Sequence, residues 1–162
     1  MLLKPLVIVL ILLSFSSSFA ATDAANGSRP IDVVHFWDAA GPIKPLERAA
    51  VTSIPASPAV PATWEIKGAR SAFRIKRGPA LLFLVRLPDG ADPNKIQLFR
   101  LTGSGVRKPY PPRDSWRTAA LSVTKAGDSF GLAPVGELVE GEYAFIRPGT
   151  GEAYCFGIDA AN

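Results

Sequence analysis

Glu140-Gly141-Glu142-Tyr143-Ala144-Phe145 carries the clearest fold signal in this chain. Its spacing is that of the corner in immunoglobulin-like β-sandwiches. There a Gly permits a tight turn, and a Tyr opening the next strand bonds its hydroxyl back to the corner's backbone. The residue two after the Tyr, a disulfide Cys in an antibody domain, is here Phe145, whose bulk is expected to fill the space between sheets. Pro148-Gly149-Thr150-Gly151 then turns the chain into Glu152–Ile158. The plainer reading of the same residues is a β-hairpin preceded by an acidic turn.

Working outward from that corner, the rest of the chain also reads as strands. Ile31–Trp37 is rich in β-branched and aromatic residues and ends in the turn Asp38-Ala39-Ala40-Gly41-Pro42. Thr63–Lys67 alternates with Trp64 and Ile66 on one face, and Ser71–Lys76 sets Phe73 and Ile75 against Arg74 and Lys76. Ala80–Leu87 is almost wholly apolar and predicts a central strand buried on both faces. Lys95–Thr102, Thr118–Thr124, Tyr143–Arg147 and Glu152–Ile158 complete the set. Ile43–Thr52 admits a strand or, over Leu46–Val51, one helical turn. Pro55, Pro58 and Pro61 recur every third residue and suit an extended linker or edge crossover. The expectation is an all-β domain over residues 31–162: a single antiparallel β-sandwich, immunoglobulin-like.

Residues 1–20 hold a charged start at Lys4, a short apolar run from Leu6 to Leu13 and a small-x-small exit at Ser18-Phe19-Ala20. This is the pattern of a cleaved secretory signal peptide. The apolar run is shorter than the roughly 20 residues that span a bilayer, so no transmembrane anchor is expected after cleavage. Residues 21–30 read as a flexible terminus, in which Asn26-Gly27-Ser28 matches a glycosylation sequon. The expected location is exported, periplasmic or secreted. Export leads to an oxidising compartment, yet a single Cys cannot form an internal disulfide, so packing must hold the fold.

Scarcity then narrows the chemistry. One His and one Cys exclude a two-His metal site and a Cys cluster. His35 lies among apolar neighbours and reads as a packed or hydrogen-bonded structural imidazole, while Cys155 reads as a buried inert thiol, with an intermolecular disulfide as the other reading. Gly103-Ser104-Gly105-Val106-Arg107-Lys108 lacks the Gly-Lys-Ser/Thr of a phosphate loop and reads as a turn. Asp89 and Asp92 are too few for a calcium loop. Glu137, Glu140 and Glu142 form a second acidic group, and a carboxylate-dependent hydrolase would turn on a separation of roughly 5–10 Å that sequence does not carry. No catalytic, cofactor or metal residue is assigned.

Charge is segregated along the chain. Residues 66–117 carry twelve basic and three acidic residues, against three and five in residues 21–65 and two and six in residues 118–162. Two readings follow: a face for an anionic partner, or basic middle strands paired internally with acidic terminal ones. The candidate binding residues are Lys67, Arg74 and Lys76 on one strand face, and Tyr110, Arg113, Trp116 and Arg117 around a Pro-stiffened loop whose aromatics suit stacking on sugars. Nucleic acid is not expected for so mildly charged an exported domain.

Glu65-Ile66-Lys67-Gly68-Ala69-Arg70-Ser71, Gly141-Glu142-Tyr143-Ala144-Phe145 and Cys155-Phe156-Gly157-Ile158-Asp159 together resemble a pattern in uncharacterised exported bacterial β-sandwich proteins. The resemblance spans residues 31–159, and its motifs are structural corners and strand ends. It implies a bacterial periplasmic or secreted protein and no functional residue. The expected function is a non-catalytic binding or structural module of the cell envelope, its partner an unknown protein or an anionic polymer or glycan. The alternatives are a carbohydrate- or anionic-polymer-binding module and a small carboxylate-dependent hydrolase.

Overall fold

The computed structural model describes residues 30–38, 41–59, 61–78, 80–110 and 118–160. Residues 1–20, read as a signal peptide, Asn26 and the expected binding residues Arg113, Trp116 and Arg117 lie outside the described residues. The strands in chain order are β1 (Val34–Trp37), β2 (Lys44–Pro45), β3 (Glu47–Ile54), β4 (Thr63–Lys67), β5 (Arg74–Lys76), β6 (Leu82–Val85), β7 (Gln97–Thr102), β8 (Val106–Pro109), β9 (Thr118–Ala119), β10 (Leu121–Ala126), β11 (Ser129–Pro134), β12 (Gly141–Ile146) and β13 (Glu152–Asp159). The chain is all-β, as its alternation and turn residues predict.

The sheets are not the open pair expected. One is open and five-stranded, in the order β10-β11-β6-β1-β2. The other follows β12-β13-β3-β4-β8-β7, and β7 pairs back onto β12 with Phe99 opposite Ala144, which closes six strands into a barrel. Nor is every pairing antiparallel, because β5 lies parallel to β13 with Arg74 beside Gly157. The all-β chain thus sets one closed sheet beside one open sheet. The reason is visible in β12 and β13, which are buried on both faces. Tyr143, Phe145, Tyr154, Phe156 and Ile158 face the open sheet, where they meet Val34, Phe83, Val85 and Leu132. The alternate residues Ala144, Ala153 and Cys155 face into the barrel with Ile66, Phe99 and Leu101. Eight strands make a barrel just wide enough for side chains to fill, so six leave room chiefly for small ones. The small–large alternation of β12 and β13 meets both demands at once.

The corner motif performs as its spacing predicts. Tyr143 Oη donates to the carbonyl of Val139 at 2.9 Å, and Gly141 has φ 153, within the region Gly favours. Phe145 is 1% exposed and packs edge-on to Phe83 at 4.8 Å between ring centroids. Phe156 joins both rings, at 4.9 Å from Phe83 and 5.7 Å from Phe145. Such aromatic pairs add about 0.5–1.5 kcal/mol each beyond their burial.

Several local expectations change. Glu47–Ile54 is a strand and not a helical turn, because Ala49 and Val51 alternate into the barrel while β13 and β4 pair its two edges. Val106–Pro109, read as part of a turn, is a strand, since Arg107 faces inward where an apolar residue would have signalled one. Ser129–Pro134 is a strand that the pattern did not reveal. Leu82–Val85 holds the central position expected of it, but Phe83 and Val85 are buried while Leu82 and Leu84 are only partly so.

Candidate functional site

Six of the described cations of the basic middle segment, Arg70, Arg74, Arg77, Arg86, Arg107 and Lys108, are paired with carboxylates. Arg74 donates to Asp159 Oδ1 from Nε at 3.1 Å and from Nη2 at 2.6 Å, and its Nη1 meets Glu142 Oε1. Arg70 approaches the same two carboxylates at 3.9 and 3.6 Å. Arg77 pairs with Glu137, Arg86 with Asp128, and Lys108 with Glu65. A Cβ on Gly157 would sit 1.6 Å from Arg74 Nη1, so this glycine lets the guanidinium cross the strand to reach Glu142.

At the same end of the barrel, Arg107 points inward from β8 with its side chain 3% exposed. Nη2 donates to Glu47 Oε1 at 2.8 Å and to the Lys67 carbonyl at 3.1 Å, and Nε donates to the Gly68 carbonyl at 3.2 Å. Nη1 is buried without a partner. Glu47 Oε2 accepts from Ser71 Oγ at 2.7 Å and from the Ala72 amide, while the Ser71 amide donates to Glu142 Oε2 at 2.7 Å. Burial alone pushes the Glu47 carboxyl up, but the hydrogen bonds from Arg107, Ser71 and Ala72 outweigh it and hold the group below its ordinary value. The network sets three guanidiniums, Arg70, Arg74 and Arg107, against three carboxylates, Glu47, Glu142 and Asp159.

Of the expected binding residues, Arg74 belongs to this network, and Lys67 and Lys76 are exposed. Tyr110 is half-buried, with the Arg100 guanidinium 5.2 Å over its ring. His35 is 8% exposed, with Nδ1 donating to the Val33 carbonyl at 3.0 Å. Cys155 is fully buried in the barrel, and desolvation pushes its thiol up to about 12. Asp92 caps the short 3-10 turn Pro93–Lys95 through the Asn94 amide at 2.9 Å. Among the described residues no three His, Cys, Asp or Glu side chains converge as a metal would need.

A cleft of about 280 Å³ opens elsewhere, between the open sheet and the β12–β13 wall of the barrel. Val34, Val85, Leu87, Ile96 and Phe145 make its apolar side, and Asp32, Arg147, Thr150, Glu152 and Tyr154 its polar side. Arg147 Nη2 donates to Asp32 Oδ2 at 2.7 Å. Asp32 Oδ1 is buried without a partner, and the residue adopts φ 64 while its amide donates to the Arg86 carbonyl at 2.7 Å. A left-handed backbone costs about 1–2 kcal/mol for most L-residues and less for Asp. Across the cleft Glu152 pairs with Arg48, whose hydrogen bond holds the carboxyl below its ordinary value. Tyr154 Oη leans on Glu152 Oε2 at 3.4 Å, and burial raises its own pKa. The rim therefore presents fixed charge of both signs over an apolar floor.

No protein family, no curated protein and no solved structure matches this chain. The cleft thus stands on its own geometry. Asp32, Arg147 and Glu152 were not legible as a site in the sequence: Asp32 and Arg147 are 115 residues apart, and nothing local marks Asp32 for a left-handed turn.

Proposed function

We propose that this protein is a small exported module that binds a component of the cell envelope without catalysing a reaction on it. The observation that carries the reading is the cleft at Asp32 and Arg147, a concave apolar pocket with a few fixed polar groups on its rim, the usual form of a small-ligand site. The leader pattern in residues 1–20 supports export. Among the described residues no helix is long and apolar enough to cross a membrane. Glu152 is held as an anion by Arg48, which weighs against a general acid at this rim. The mutual pairing of Arg70, Arg74, Arg77, Arg86, Arg107 and Lys108 with carboxylates weighs against an anionic polymer as the ligand. For the finer fold, the Tyr143 corner supports an immunoglobulin-like ancestry, and the closed barrel weighs against it.

Two measurements test this reading. The exported protein, isolated from its own organism, is expected to have an intact mass lacking residues 1–20 and to co-sediment with isolated envelopes. A full-length mass in the cytosolic fraction, together with no sedimentation, overturns it.

A further inference from the structure

We propose that the cleft at Asp32 and Arg147 is a site for a small apolar α-amino acid, its ammonium on Asp32 and its carboxylate on Arg147. This deepens the binding-module reading and rests on it. The first support is the unequal use of the Asp32 carboxylate. Its Oδ2 is taken by Arg147 Nη2 at 2.7 Å, whereas Oδ1 meets no donor. A clip that fastens the start of β1 to the β12–β13 hairpin needs only the first oxygen. The side chain is 33% exposed, and the terminal torsion of a carboxylate is broad and two-fold. That breadth lets the carboxylate swing part of a turn and present the buried Oδ1 to the cleft while Oδ2 keeps Arg147.

The second support is charge matching. Arg147 spends one nitrogen, Nη2, on Asp32, and its guanidinium fork suits a second carboxylate beside the first. An α-amino acid carries its ammonium and carboxylate on one carbon, a separation that suits an adjacent Asp–Arg pair. A lone amine would compete with Arg147 for Asp32. A lone carboxylate would meet Asp32 and Glu152, both lining the cleft. The third support is size and polarity. At about 280 Å³ the cleft lies just below the usual range of ligand pockets, which limits it to a small ligand, and Val34, Val85, Leu87, Ile96 and Phe145 offer a side chain of the leucine kind an apolar seat. Strain collects here as well, since Asp32 at φ 64 holds its carboxylate on the rim.

The experiment is an amide-resolved NMR titration of the purified protein with three probes of one carbon skeleton: leucine, 3-methylbutylamine and 4-methylpentanoate. Leucine is expected to shift the amides of Val34, Val85, Phe145 and Arg147. The amine, which lacks the carboxylate, and the acid, which lacks the ammonium, are expected to bind at least about tenfold more weakly, a difference of roughly 1.4 kcal/mol. Asp32→Asn is expected to weaken leucine by a similar factor while leaving 4-methylpentanoate no weaker. Leu87→Trp, which narrows the cleft with both charges intact, is expected to abolish the response to leucine. No shift at those amides up to about 20 mM leucine, far above a millimolar Kd, overturns the proposal. So does binding of either singly charged probe as tightly as leucine. If leucine fails while the protein still sediments with envelopes, only the ligand class falls. If leucine binds without sedimentation, the site stands and the envelope role falls.

Discussion

Glu47→Ala is the sharpest test of what holds the barrel closed. The substitution strands three donors: Arg107 Nη2 at 2.8 Å, Ser71 Oγ at 2.7 Å and the Ala72 amide. A neutral donor left unmet costs about 1 kcal/mol, and a charged one about 1.5–3 kcal/mol, which together reach about 3.5–5 kcal/mol. Two features of the site reduce that figure. Glu47 is 22% exposed, so water enters part of the vacated space, and Arg107 keeps the carbonyls of Gly68 and Lys67. About 3 kcal/mol remains, the lower bound for breaking a buried ion pair. In a domain of this length that loss lowers Tm by about 10 °C. Urea and thermal unfolding, followed by circular dichroism, read it directly. Arg48→Ala is the matched control, because it breaks a pair whose arginine is 63% exposed and should leave the urea midpoint little changed. Glu47→Leu combined with Arg107→Met removes both charges and should recover only the charged share of the loss, since Ser71 Oγ and the Ala72 amide stay unmet. A Glu47→Ala protein within about 1 kcal/mol of the parent refutes the reasoning. A double variant as unstable as both single changes summed does so too.

Acid is expected to destabilise the fold. Asp159 is held below its ordinary value by Arg74, Glu137 by Arg77 and Glu152 by Arg48, and Glu47 is held down despite burial. A depressed carboxyl stabilises the fold above its unfolded value, here 3.8 for Asp and 4.5 for Glu, and that contribution is lost as pH falls through the folded value. The urea midpoint should thus fall once pH drops below about 4.5, and a midpoint that rises on acidification contradicts the pairings. Cys155, with its thiol near 12, should resist a thiol-reactive disulfide reagent at pH 8 in the native protein and label fully in urea; rapid native labelling sinks the buried assignment. Tyr143→Phe removes the 2.9 Å bond to Val139 and should cost about 1 kcal/mol in urea unfolding, whereas an unchanged midpoint makes the corner bond dispensable.

Much of the fold was legible where the signal is local. Thr63–Lys67 forms the strand its alternation predicts, with Ile66 buried and Trp64 packed beside it at 5.2 Å from Phe99. The Tyr143 hydroxyl finds its carbonyl four residues upstream, a contact that spacing alone encodes. Strand β8 escaped because its inward residue is Arg107, whose partner Glu47 lies 60 residues earlier. The site was less legible still. Sequence reasoning chose exposed-looking cations, and Arg74 proved to be shared between Glu142 and Asp159.

Alternation, turn chemistry and residue counts are local or additive, and so the all-β class, the filled Tyr corner and the impossibility of an internal disulfide with one Cys could be read along the chain. Three further things came from tertiary contact: that six strands close, that Arg70, Arg74, Arg77, Arg86, Arg107 and Lys108 meet carboxylates distant in the chain, and that Asp32 meets Arg147 beside a cleft. Each depends on which edges pair and which side chains meet over 39 to 115 residues of chain. Long-range closure of that kind is set by the packing of whole faces, here the small side chains of β12 and β13 turned inward and the aromatic ones turned out.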